Sequence, residues 1–116
     1  MKDLKDYMLI FRMELNPNFV PSPEQASDMR NAWGGWIGGI AQNARLVSSH
    51  QLGFEGKTLA SDQSVQAGYV MADKQSISGN LVVKAADMDE ATAIAKGCPI
   101  LTMGGSVEVR NTLAVF

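Results

Sequence analysis

His50 is the only histidine in the sequence, and a neutral imidazole near physiological pH suits a general base or a ligand anchor. No carboxylate lies at a spacing that would orient it. His50 therefore reads either as a candidate catalytic base or as a strand histidine bonded to backbone or solvent. Glu108 and Arg110 stand two apart in a β-rich run and would share one strand face, opposite Val107 and Val109. Turned inward, such a pair can clamp a polar ligand; turned outward, it is a surface or interface ion pair. Arg12 is a third candidate inward charge. Trp33 and Trp36, three apart on one helical face, either floor an apolar pocket or fill the core. With Tyr69 in a polar stretch, the expected ligand-binding set is Arg12, Trp33, Trp36, His50, Tyr69, Glu108 and Arg110.

Other chemistries are poorly supplied. One histidine and one cysteine do not make a metal site of the usual ligand count, so neither a structural metal nor another cofactor is expected. Cys98 has only Lys96 as a nearby cation and reads as an inert buried thiol before Pro99. The Gly-x-Gly-x-x-Gly pattern is missing, and Gly56-Lys57-Thr58 lacks both the upstream glycine and the following helix of a phosphate loop. Ten basic and twelve acidic residues give a formal charge of −2. That leaves no field to attract a phosphate backbone or an anionic membrane, and no nucleic-acid or membrane partner is expected.

The 116 residues, 46% hydrophobic and 19% charged, suffice for one domain over residues 1–116 with its own packed core. A single cysteine points to the cytoplasm rather than to a disulfide framework. The N-terminal apolar run ends at Arg12, too short for a signal peptide or a membrane span.

The elements that position these residues are mostly legible. Tyr7–Met13 predicts a strand with Tyr7, Leu9, Phe11 and Met13 on one face and Met8, Ile10 and Arg12 on the other, largely apolar on both. Ser22-Pro23-Glu24-Gln25 predicts a helix start, with serine capping, proline in the first turn and glutamine bonding back. Ala26, Met29, Trp33, Trp36/Ile37, Ile40 and Ala44 then form one stripe. Inside that helix, Gly34, Gly35, Gly38 and Gly39 each cost about 1 kcal/mol relative to alanine, which close helix-to-sheet packing or a ligand would have to offset. Leu46–Gln51 and Lys57–Ala60 are expected as strands forming a hairpin through Glu55-Gly56. Asp62–Ser78 reads as a long loop with a short helical turn near Ala72–Gln75. A strand follows at Asn80–Ala86, then a helix capped by Asp87 with Glu90 closing a capping box, and ended by Gly97 and Pro99. Gly104-Gly105 turns into a last strand at Ser106–Arg110, ahead of an apolar tail from Leu113 to Phe116.

This order predicts an α+β fold: a ferredoxin-like split βαβ with an antiparallel sheet and two helices on one face. The other sheet face is left bare. Because the first strand is apolar on both sides, the simplest cover is the same face of a second copy, hence a homodimer.

The ordered set of segments resembles the YCII-related family: Tyr7-Met-Leu-Ile-Phe, Ser22-Pro23-Glu24, Ala32-Trp33 with Trp36, Ala85 to Ala91, Ala95 to Pro99, and Gly104 to Arg110. The resemblance implies a ferredoxin-like subunit that forms a dimeric α/β barrel. Where the larger branch of that family carries Asp-Gly-Pro-Phe, this chain has Ala67-Gly68-Tyr69-Val70, with Lys74-Gln75 in place of a Lys-Glu pair. The resemblance to a smaller branch of that family implies a histidine on the first helix and an aspartate after the second helix, at positions that here look like Trp33 and Cys98. Neither set is retained, so the family implies no catalytic residue for this chain. The expected function is a homodimer binding a small, partly apolar ligand in a cleft between sheet and helices. One alternative is a cofactor-free acid-base enzyme, isomerase-, lyase- or hydrolase-like, using His50 with Arg12 or Arg110 holding an anion. The other is an interaction module docking through Asp62–Ser78.

Overall fold

The computed structural model describes residues 3–14, 16 and 18–114; the last two residues of the apolar tail lie outside this range. Strand β1 (Lys5–Glu14) alternates as the sequence requires, with Tyr7, Leu9 and Phe11 buried and Met8, Ile10 and Arg12 half-buried. Helix α1 (Pro23–Gln42) starts at the expected cap. The Ser22 hydroxyl accepts from the Gln25 amide at 3.1 Å, and the Gln25 side chain accepts from the Ser22 amide at 2.9 Å. Next come β2 (Leu46–Gln51), β3 (Lys57–Leu59), β4 (Val65–Ala67), β5 (Gln75–Ala85), α2 (Met88–Ala95), a short 3-10 helix (Pro99–Met103) and β6 (Ser106–Asn111).

The main sheet has the order β2-β5-β1-β6, and every neighbouring pair is antiparallel. Strand β1 is central, with Leu9 opposite Leu81 on β5 and Val109 on β6. Tyr7, Leu9, Phe11, Leu81, Val83 and Ala85 present one face to Ile40, Ala91, Ala95, Cys98 and Ile100. Full burial of Leu9, Leu81, Val83 and Ile100 contributes about 1.5–3 kcal/mol each. Both helices cover this face and leave the other bare. Gly105 permits the return into β6: a β-carbon there would lie 2.6 Å from Ile100 Cγ1 and 2.7 Å from the Arg12 carbonyl oxygen.

Several expectations are corrected. Strand β3 does not pair with β2; it pairs with β4, while β2 joins β5. The segment expected as a loop holds β4 and the first four residues of β5, because Ala60-Ser61-Asp62-Gln63-Ser64 makes a tight turn. Ala60 N–H donates to the Ser64 carbonyl at 2.9 Å, and Ser64 N–H to Asp62 Oδ1 at 2.9 Å. Ala72–Gln75 is a hairpin turn rather than helix, with Asp73 and Lys74 at φ 53° and 65°. Asp87 caps α2 as expected, but Glu90 pairs with Arg45 instead of closing the box. Ala44 falls past the end of α1 in a left-handed conformation, φ 57°. The four glycines of α1 are not explained by close packing either: apart from the adjoining residues and the helix's own backbone, no atom lies within 4 Å of where their β-carbons would be.

Candidate functional site

Register sets the charged candidates on the helix-free face. His50 on β2 lies opposite Asn80 on β5, Asn80 opposite Ile10 on β1, and Ile10 opposite Glu108 on β6. These four residues form one row across the sheet. The adjacent row is Ser48, Val82, Met8 and Arg110. The middle of the face is therefore apolar, built from Met8, Ile10 and Val82, and its two edges are polar.

At the β6 edge, Glu108 bridges two guanidinium groups. Arg12 Nη1 donates to Glu108 Oε1 at 2.5 Å, and Arg110 Nη1 donates to Oε2 at 2.8 Å. The hydrogen bonds from Arg110 and then Arg12 hold the Glu108 carboxyl below its usual range. The trio carries a net charge of +1. Each arginine has five N–H donors, and among the described residues each places one on Glu108; the Arg12 and Arg110 side chains are 37% and 63% exposed.

At the β2 edge, His50 Nδ1 stands 3.4 Å from Asn80 Oδ1. Three strand spacings put His50 about 14 Å from Glu108. Arg12, on β1, is two strand spacings from β2, about 10 Å across the sheet.

The tryptophans lie on the opposite side. Trp33 and Trp36 meet Phe11 edge-on, with ring centroids 5.4 and 6.1 Å away and 5.8 Å from each other. Trp36 Nε1 donates to the Ile94 carbonyl at 3.1 Å and ties α1 to α2. The core thus fills the space between sheet and helices where a cleft was expected. Two open grooves flank α1. One of about 350 Å³ is lined by Gly35, Trp36, Gly39, Arg45 and Ile94, and one of about 210 Å³ by Met29, Trp33, Pro99 and Met103. Tyr69 stands apart from both faces, against Gly56 beside the β3–β4 hairpin. The seven candidates therefore fall in three places: Arg12, His50, Glu108 and Arg110 on the bare sheet face, the tryptophans beneath α1, and Tyr69 on the hairpin.

Sequence reasoning missed Asn80, whose position opposite His50 appears only with the register. It also missed Arg45, which lines the larger groove and pairs with Glu90. Cys98 is buried, and desolvation raises its pKa. Among the described residues, no three His, Cys, Asp or Glu side chains gather in a metal-binding arrangement, and no helix is long and apolar enough to cross a membrane.

A four-stranded antiparallel sheet in the order β2-β5-β1-β6, with both helices on one face and charged residues on the other, is a ferredoxin-like α+β domain. The family model of the YCII-related domain matches residues 13–113, and the chain belongs to that family. No curated protein matches it.

Proposed function

We propose that the protein is a homodimer, paired through its bare sheet faces, that binds a small, partly apolar ligand carrying an acidic group. One observation carries this reading: Glu108 holds Arg12 and Arg110 side by side, with one donor of each engaged among the described residues, next to an apolar strip of Met8, Ile10 and Val82. Guanidinium forks match a carboxylate in geometry and charge, and the strip suits a hydrocarbon or aromatic body. A facing sheet would exclude water and strengthen both interactions. The tryptophans belong to the packed side of the sheet and serve the core. A cytoplasmic setting is supported by the single buried free thiol, Cys98.

A thermal-shift series over aliphatic and aromatic carboxylates tests the reading, since a ligand bound only by the folded state raises the melting temperature. At least one acid should raise it, its amide should not, and Arg110→Ala should abolish the shift. A flat response to every acid, or a shift that survives Arg110→Ala, overturns it.

A further inference from the structure

Residues 52–74 leave the body of the molecule as an arm, tied at its first residue to β5 by Leu52 N–H donating to the Ser78 carbonyl at 2.9 Å. Its two strands, β3 and β4, bond to each other and to no strand of the main sheet. None of its residues belongs to the core or packs against it. The arm is held internally, by Gly68 N–H donating to the Gly56 carbonyl at 2.9 Å and Thr58 Oγ1 to the Gly68 carbonyl at 2.8 Å. Its root is fixed by Ser76 Oγ donating to the Val70 carbonyl at 2.6 Å. An isolated two-stranded hairpin is at best marginally stable in water, yet this one exposes Leu52, Phe54, Leu59, Val65, Val70 and Met71. Leu59 and Val65 are directly paired across the hairpin and are 65% and 57% exposed. Together these side chains present apolar area on the order of the few hundred Å² that marks an interaction surface.

The arm reaches sideways. The radius of gyration is 15.9 Å, against about 13 Å for a compact chain of this length. The molecule measures 48 × 43 × 20 Å, and its short dimension matches one sheet with one layer of helices, at about 10 Å each. The arm therefore folds back over neither face of its own sheet.

We infer that the arm clasps a second copy of the chain, packing Leu59 and Val65 against the partner subunit outside the contact between the two sheets. This rests on the paired-subunit reading above. Strands of six, eleven, ten and six residues, about 4.8 Å apart and rising about 3.3 Å per residue, give a bare face of only about 500 Å², whereas a standard interface takes about 800 Å² from each partner. The sheet face alone falls short, and the arm supplies surface of the missing size.

The test uses the full chain. Sedimentation over about 0.1–50 µM, the weak end of the affinities a standard interface spans, gives the dimer constant of the wild type, of Leu59→Asp/Val65→Asp and of Ile10→Asp. In parallel, amine cross-linking of mixed light and heavy-isotope protein reports whether Lys57 joins its own subunit or the other. The arm variant, whose residues lie outside the core, should keep the wild-type circular dichroism and weaken dimerisation at least tenfold, and Lys57 should cross-link between subunits. A wild-type dimer constant for the arm variant, with Lys57 links confined to one subunit, overturns the clasp while leaving the sheet pairing in place. A monomeric wild type overturns both, and assigns the arm to a partner of another kind.

Discussion

Gly79 on β5 sits so close to His50 on β2 that a β-carbon on Gly79 would lie 2.5 Å from the His50 carbonyl oxygen and 3.4 Å from Gln51 Cα. The obstacle is backbone on the neighbouring strand, which cannot swing aside. Gly79→Ala should therefore lower stability by about 1–3 kcal/mol, the range for overpacking a filled site. Urea denaturation measures it, and an unchanged midpoint would contradict the close approach.

The helix glycines predict the reverse. Gly34 and Gly35 are exposed, and apart from the adjoining residues and the helix's own backbone no atom lies within 4 Å of where a β-carbon would stand. Alanine at either position should raise stability by about 1 kcal/mol through helix propensity. If the double substitution stabilises the isolated subunit but weakens self-association in the sedimentation assay, these glycines face a second chain.

Glu108 makes stability depend on pH in a defined direction. Its folded pKa is lowered by Arg110 and Arg12, from about 4.3 in an unfolded chain. Its contribution is complete above that unfolded value and disappears as pH falls through the lower folded value. Asp62, lowered by its hydrogen bonds from Ser64, acts in the same sense, so the comparison is between wild type and Glu108→Gln. The melting temperature of Glu108→Gln should fall less steeply below pH 4.3, roughly the unfolded carboxyl value. Parallel curves would remove the proposed pairing.

Cys98 should resist modification. It is buried at the start of the 3-10 helix, and desolvation raises its pKa, so little thiolate forms and reagents have no path to it. Disulfide-exchange reagents should label it at neutral pH only after denaturant unfolds the chain. Rapid labelling of the native protein would show that the 3-10 segment opens.

The strand alternation from Tyr7 to Met13, the Ser22 capping box and the Asp87 cap were readable from residue type and spacing, because those features are local. The β3–β4 arm was not, since Glu55-Gly56 resembles a hairpin turn as much as the Ala60–Ser64 turn does. Pairing is decided by which strands bury more surface, and β5 offers β2 an extended ladder that β3, three residues long, does not. Register was equally hidden. The sequence made His50, Arg12 and Glu108 candidates without showing that His50 and Glu108 occupy opposite ends of one row.

By itself, then, the sequence determined the two helix starts, the two-sided apolar character of β1 and the ferredoxin-like order of elements, because each follows from side chains a few residues apart. Only the tertiary structure decided that Glu108 joins Arg12 to Arg110, that the tryptophans lie beneath α1 on the far side of the sheet from them, and that residues 52–74 stand away from the core. Those outcomes depend on which distant strands pair, and in what register, and that is settled by packing over the whole sheet.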